Sequence, residues 1–293
     1  MTGESAVSAP AAAVARVRVP GGGIRSDVRA IKVVWQRELI RFSRDRARII
    51  TSLVQPVLFL FVLGTGLSRI SSAGTHGVNL RTFVYPGVLA MAVLFTAMFS
   101  AASIVWDREF GFLREMLVAP VRRGAIVFGK CLGGATVAGM QGVIMICIAG
   151  LVGVPYSPVL IVEVLILQLL LAFALTAFGV MMAARMTQMQ AFMTLMQLVI
   201  MPLFFISGAL FPVVGLPAWL TVLNRLDPLT YAVDPIRRAV FAHLDISEQA
   251  RHALAPGVTW WGWHLPGIFE AALVAMIGLA MLAVAIWQFS RTE

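Results

Sequence analysis

Six long runs of apolar residues dominate the chain, and short polar or charged segments separate most of them. Each run comes close to the ~20 residues that an α-helix needs to cross the hydrocarbon core of a bilayer. The pattern therefore predicts six transmembrane helices, at residues 49–67, 83–106, 125–153, 159–183, 190–212 and 267–289.

Composition agrees with a membrane protein and argues against a soluble one. Only 13% of the residues are charged and 59% are hydrophobic, whereas soluble domains carry about 25% charge. We predict an all-α polytopic membrane protein, residues 47–293 forming the six-span domain. The net charge of +9 does not indicate nucleic acid as a partner, because the basic residues lie beside apolar spans.

The N-terminal region divides into a tail and a helix. We predict that residues 1–25 are disordered and that residues 26–46 form an amphipathic interfacial helix, with Ser26 able to cap its start. An apolar stripe and a basic face suit the headgroup layer of a membrane, although packing against a protein partner would produce the same pattern. The stripe consists of Val28, Ile31, Trp35, Leu39 and Phe42, and the basic residues off it are Arg29, Lys32, Arg37, Arg41 and Arg44.

The distribution of Lys and Arg predicts the orientation. With the N-terminus inside, 17 of the 23 basic residues lie in inner segments. An even number of spans then places both termini in the cytoplasm.

Residues 107–123 are the one strongly charged stretch between the early spans. Phe110, Leu113 and Leu117 have the spacing of one helical face, and Pro120 blocks continuation of a helix. The opposite face carries Arg108, Glu109, Arg114 and Glu115. We predict a short helix at the cytoplasmic surface, presented to a partner, with anchoring on lipid as the alternative.

The segment 213–266 is the longest outer loop. Its apolar-rich pieces predict one or two short helices that partly enter the outer leaflet. A tryptophan cluster just before the last span is typical of a membrane interface; it comprises Trp260, Trp261 and Trp263.

Two charged residues near the ends of predicted spans, Lys130 and Glu270, are candidates for a functional site. Residues 124–131 resemble a phosphate-binding loop but have Cys131 where the mechanism needs a hydroxyl, so Lys130 is interpreted as a lysine at the membrane boundary. Gly129 and Gly133, four apart, suit close helix packing. Glu270 is interpreted as interfacial rather than as part of a proton relay.

Methionines recur at helical spacing around the fifth span, at Met182, Met186, Met189, Met193 and Met196. Gln190 and Gln197 lie on an adjoining strip. Methionine suits surfaces that accept varied apolar shapes, so Met189, Gln190, Met193, Met196 and Gln197 are a candidate substrate path. Ordinary contact with lipid or another helix remains the alternative.

Four stretches together resemble the permease subunits of ABC type-2 exporters, the family of daunorubicin-resistance and nodulation exporters. They cover most of the chain after residue 40, in the order that the family shows. One departure is Asp227, where such permeases often have Asn. The stretches are 55–64, 83–87, 107–121, and 207–212 continuing through 227–237.

The resemblance implies a permease subunit of the bacterial cytoplasmic membrane that exports a drug or lipid-like substrate. Export of a lipid-linked glycan is the alternative within the family. It implies pairing with a second permease and with a separate ATPase, which would hold the ATP and magnesium, while this chain holds no cofactor. The segment 107–121 would be the coupling helix. The residues predicted to couple are Asp107, Arg108, Glu109, Phe110, Leu113, Arg114, Glu115, Leu117 and Pro120.

Two other classes compete with this interpretation. An integral membrane enzyme that modifies lipids would need convergent polar groups, and the one candidate set is Asp227, Asp234 and His243. These residues are better interpreted as helix caps and turn residues. A channel or passive scramblase would not need the inner amphipathic helix. No catalytic or metal-ligating residue is predicted.

Overall fold

The structure, a computed structural model, describes residues 23–66, 78–111, 121–211, 217–260 and 263–292. Within these residues the chain is helical apart from one two-stranded hairpin. The elements are α1 (Ile24–Arg44), α2 (Arg46–Leu58), a π-helical segment (Phe59–Leu63), α3 (Gly64–Gly66), α4 (Leu80–Ser100), α5 (Ala102–Glu109), α6 (Arg123–Ile148), a 3-10 turn (Ala149–Val152), α7 (Pro158–Ala183), α8 (Met189–Ile206), α9 (Ala218–Leu226), α10 (Thr230–Ala242), α11 (Glu248–Leu254), β1 (Thr259–Trp260), β2 (Trp263–His264) and α12 (Gly267–Thr292).

The predicted all-α, six-span architecture is confirmed. Six helical stretches are long and apolar enough to cross a membrane, and they are Ile49–Gly66, Leu80–Glu109, Arg123–Val152, Pro158–Ala183, Met189–Ile206 and Gly267–Arg291. We call these the first to sixth spans, and we call the side at Glu109 the inner side, following the predicted orientation.

The second span lies at the centre of the packing. Nearly all its side chains are buried, and it contacts the third and fourth spans, while the sixth packs along the fourth. The first, fifth and sixth spans leave many apolar side chains on the outside. In a membrane, such surfaces face lipid or another protein chain.

Helix α1 packs part of its apolar stripe against the third span, while Val28 near its start is exposed; its placement in the headgroup layer stays a prediction. Phe42 is buried, and the Trp35 indole donates to the Thr136 hydroxyl of the third span at 3.1 Å. Gly129 and Gly133 of that span allow α1 to approach closely, as their spacing predicted. The prediction that Ser26 caps the start of this helix is wrong, because α1 begins at Ile24 with Gly23 as its N-cap.

The outer segment holds three helices, α9 to α11, and the hairpin, more than the one or two helices predicted. Helix α10 is almost wholly buried against the second, fourth and sixth spans. Trp260 anchors the hairpin by donating to the Tyr231 hydroxyl at 3.0 Å, whereas Trp263 is exposed. Trp261 lies outside the described residues.

Gly87 provides a direct test of this packing. A Cβ at Gly87 would overlap the main chain of Ala209, which follows the fifth span. We expect Gly87→Ala to lower the free energy of unfolding by about 1–3 kcal/mol, as overpacking does. Unfolding by SDS in mixed micelles measures this change. Gly66→Ala, where a Cβ meets nothing within 4 Å, should be neutral, and equal behaviour of the two variants would contradict the packing.

Candidate coupling site at the inner end of the second span

Four charged side chains form a cluster at the inner end of the second span, in which Glu38, Asp107 and Lys130 are buried and Arg37 is half-buried. The Lys130 ammonium contacts Glu38 Oε1 at 3.0 Å and Asp107 Oδ2 at 2.6 Å, and it donates to the Ser103 hydroxyl at 3.1 Å. Arg37 donates to both Asp107 oxygens at 2.7 Å. The two cations balance the two anions, so the cluster ties α1 to the second and third spans without net charge.

Lys130 is buried by protein at this inner end of the spans, and its place at the membrane boundary stays a prediction. It is 3% exposed and lies inside helix α6, so the stretch that resembles a phosphate loop is helical. Burial of a lysine requires ion pairs and hydrogen bonds that replace water. Glu38, Asp107 and Ser103 supply them.

Arg108 and Glu109, which follow Asp107 in the second span, bind the loop between the fourth and fifth spans. Arg108 Nη1 donates to the carbonyl oxygens of Ala184 at 3.1 Å and Met186 at 2.7 Å, and it lies 3.4 Å from that of Ala183. The Glu109 carboxylate accepts the Met189 backbone N–H at 2.9 Å. The Arg108 cation thus lies at the C-terminal end of α7, and the Glu109 anion lies at the N-terminal end of α8. The dipoles of both helices favour this arrangement.

The predicted coupling residues fall into three groups. Asp107 is buried and Arg108 is half-buried, and both are bonded inside the subunit; Glu109 and Phe110 are exposed. Leu113, Arg114, Glu115, Leu117 and Pro120 lie outside the described residues. The exposed part of the site therefore begins at Glu109.

The predicted start of a separate helix at residue 107 is wrong. Residues 107–109 are the last turn of the second span, and α5 ends at Glu109. Gly111 then adopts a left-handed backbone, with φ of 81°, a conformation typical of the residue that ends a helix. A turn at Phe110 and Gly111 therefore follows the second span. The helix of the second span does not continue along the apolar spacing that begins at Phe110.

The residues of the predicted substrate path separate in the structure. Met189 and Met193 line a cavity, but Met196 is buried in the core. The turn at residues 184–188 is not helical, so Met182 and Met186 do not extend their face. Gln190 and Gln197 are exposed on the fifth span.

A second polar cluster lies at the outer end. The Arg238 guanidinium pairs with Asp234 at 2.9 Å and with Glu270 at 2.6 Å, and it donates to the Leu265 carbonyl at 3.0 Å. Glu270 is fully buried within the protein, near the start of the sixth span. Asp234 lies in the middle of α10 and is not a cap.

Arg237 fixes the end of the fifth span. It is 1% exposed, donates to the carbonyls of Gly208 at 2.6 Å and Ala209 at 3.1 Å, and lies 5.0 Å from the Phe83 ring centroid. Burial lowers the pKa of Arg237 to about 10, so it stays charged at neutral pH.

The three polar residues considered for an enzyme serve local structure: Asp227 accepts the Leu229 N–H as a turn residue, Asp234 pairs with Arg238, and the His243 ring contacts the Ala239 carbonyl.

Asp227 gives the outer segment a pH dependence. Burial raises its pKa from an ordinary 3.8 to about 8, so the folded chain holds a proton that the unfolded chain releases above pH 4. Stability should fall as pH rises from about 4 to 8, by at most about 1.4 kcal/mol per pH unit. Asp227→Asn removes this loss and should be the more stable protein at pH 8.5. Unfolding at several pH values measures the effect, and the exposed Asp245→Asn should follow wild type.

Sequence reasoning did not identify Glu38 or the pairing of Lys130. The available signal was Glu38 itself, a lone acid within the stripe of Trp35 and Phe42. An acid among buried positions indicates a buried cation nearby. Its partner is 92 residues away in the chain, so the sequence contained no local clue to it.

Six spans with a charge-linked inner end define a polytopic membrane protein. Residues 29–241 match the model of the ABC-2 type transporter family, and the chain belongs to that family. It is 30% identical to the transport permease ycf38 of Cyanophora paradoxa, over 72% of this chain and 73% of the relative. It is also 30% identical to nodulation protein J of Rhizobium leguminosarum bv. trifolii, over 72% and 80%. The inner membrane transport permease YadH of Escherichia coli K12 is 25% identical, over 71% and 81%.

Proposed function

We propose that this chain is the transmembrane subunit of an exporter driven by a separate ATPase docked on its inner side. The observation that carries the proposal is the bonding of three consecutive residues. Asp107 holds α1 and the third span, Arg108 holds the end of the fourth, and Glu109 holds the start of the fifth. A force applied just beyond Glu109 would therefore reach four helices at once.

In this mechanism the ATPase contacts the surface that begins at Glu109 and Phe110 and continues into residues 112–121. Phe110 is 57% exposed and stacks on Trp106, with the ring centroids 5.0 Å apart. An exposed aromatic pair at the end of a rigid span suits an anchor for a protein partner. ATP and magnesium belong to the partner, and closure of the ATPase would move the inner end of the second span.

A hydrophobic or amphipathic substrate would pass along the fifth span. Gln190 and Gln197 are exposed there, and in the described part of the chain their amides have no hydrogen-bond partner. An amide side chain that faces lipid tails without a hydrogen-bond partner costs free energy. We therefore infer that this face meets a second permease chain, a polar path between two chains, or both.

Inside-out vesicles that contain the permease and its ATPase test the proposal. We expect ATP-dependent uptake of a fluorescent amphiphile such as an anthracycline or a labelled short-chain lipid. Vesicles with either chain alone, or with a non-hydrolysable ATP analogue, should show none. Uptake that proceeds without ATP would instead identify a passive scramblase or channel.

A further inference from the structure

A cavity of about 640 Å³ lies between the elbow that joins α1 to the first span, the inner half of the second span and the start of the fifth. That volume falls within the range of small-molecule sites, ~300–1,000 Å³. Arg41 lies at the elbow, and aromatic side chains of the second span, Phe95, Phe99 and Trp106, form much of one wall. The cavity thus combines a cation at its inner end with an apolar body.

Arg41 is the cation available to a ligand. Its guanidinium carbon lies 5.9 Å from the Trp106 ring centroid, and it has no ion pair within the described part of the chain. Asp45 also lines the cavity, but it has an interaction of its own. A half-buried guanidinium that stacks on an indole and lacks an acid presents its donors to an anion.

Thr96 is a second, independent sign of a ligand. It is 5% exposed, it lines the cavity, and its hydroxyl has no hydrogen-bond partner among the residues that the structure describes. Several other helical threonines of this chain bond the carbonyl four residues earlier, as Thr136 does to Leu132 at 2.7 Å and Thr176 to Ala172 at 2.6 Å. A buried hydroxyl without a partner costs stability, and an oxygen on a bound molecule would satisfy it.

We propose that this cavity binds one drug-sized acidic amphiphile, with its carboxylate or phosphate on Arg41 and an oxygen of its apolar body on Thr96. The proposal rests on the proposed function, for which it names the class of substrate. The aromatic wall and the methionines Met189 and Met193 accept the apolar part without demanding one shape. The size excludes a polymer from the cavity itself.

Trp106 provides the measurement. A nitroxide-labelled fatty acid, 12-doxyl-stearate, should quench tryptophan fluorescence of the full-length permease in neutral phospholipid, with a saturable component that requires Trp106. Its methyl ester should bind about tenfold more weakly, since a hydrogen bond to a charged group is lost. Trp106→Phe defines the background quenching.

Two variants and a control separate the contributions of Arg41 and Thr96 to ligand binding. Arg41→Gln should reduce the affinity for 12-doxyl-stearate to that for the ester, whereas Arg29→Gln, an exposed cation of the same helix, should change nothing. Hydroxystearates with the hydroxyl at different carbons, used as competitors, should include one that binds more tightly than stearate. Thr96→Val should remove that advantage without lowering the melting temperature of the ligand-free protein.

Equal affinity for acid and ester in the wild-type protein, or an Arg41→Gln variant that still prefers the acid, would overturn the proposal. So would a Thr96→Val variant that keeps the preference for a hydroxystearate. The assay contains neither nucleotide nor ATPase. Binding that persists when ATP-driven uptake fails would therefore refute the proposed function and leave this site in place.

Discussion

Lys130→Met is expected to prevent accumulation of folded permease, or to lower its free energy of unfolding by about 3–5 kcal/mol, as removal of one partner from a buried ion pair does. The substitution keeps the length and apolar volume of the side chain. It leaves Glu38 and Asp107 in the interior with Arg37 alone to balance them. Yield after size-exclusion chromatography and unfolding in SDS measure the effect.

A second change separates charge imbalance from lost packing. In Lys130→Met/Glu38→Gln, Arg37 and Asp107 remain as a balanced pair, so much of the lost stability should return. Arg29→Met, an exposed cation on the same α1 helix as Glu38, should behave as wild type. A double variant no more stable than Lys130→Met would contradict a role for charge balance and leave packing as the cause.

Arg108→Gln is expected to uncouple the transporter while leaving it assembled. The variant loses charge-assisted hydrogen bonds to the Ala184 and Met186 carbonyls, each worth about 1.5–3 kcal/mol. The inner end of the fourth span and the loop after it would then no longer follow the second span, whereas Glu109 would still hold the start of the fifth. We expect ATP-dependent uptake to fall at least tenfold while the ATPase still co-purifies.

Arg185→Gln is the matched control for Arg108→Gln. Arg185 is an exposed cation in the same loop, so its loss changes the charge without removing a link between spans. Arg108→Lys should recover part of the uptake, since one ammonium can reach one or two of the carbonyls. Normal uptake by Arg108→Gln would show that the link to the fourth span and the loop after it does not transmit the motion.

Features that depend on local pattern were predictable from the sequence. The six spans follow from apolar runs of membrane length, and short sequence motifs identified the family. Gly129 and Gly133 predicted that a helix packs closely on the third span. The pattern did not identify α1 as that helix, because amphipathicity does not distinguish lipid from protein.

Contacts between distant segments were not predictable. Lys130 and Glu38 pair across 92 residues, and no local pattern relates them. Arg108 and Glu109 are predicted to contact an ATPase, but nothing in the sequence indicated that they also bond carbonyl and N–H groups at the ends of neighbouring helices. Gly111 was included in a predicted helix because apolar spacing continued past it, whereas its left-handed conformation ends the second span.

The central claim is that a separate ATPase drives this permease from its inner side. The most direct test is purification of the tagged permease in mild detergent together with the products of its neighbouring genes, followed by ATP hydrolysis in lipid by any ATPase among them. The account predicts a stoichiometric complex whose hydrolysis is faster in the presence of permease. A permease that purifies folded and alone, with the ATPase indifferent to it, would contradict the account.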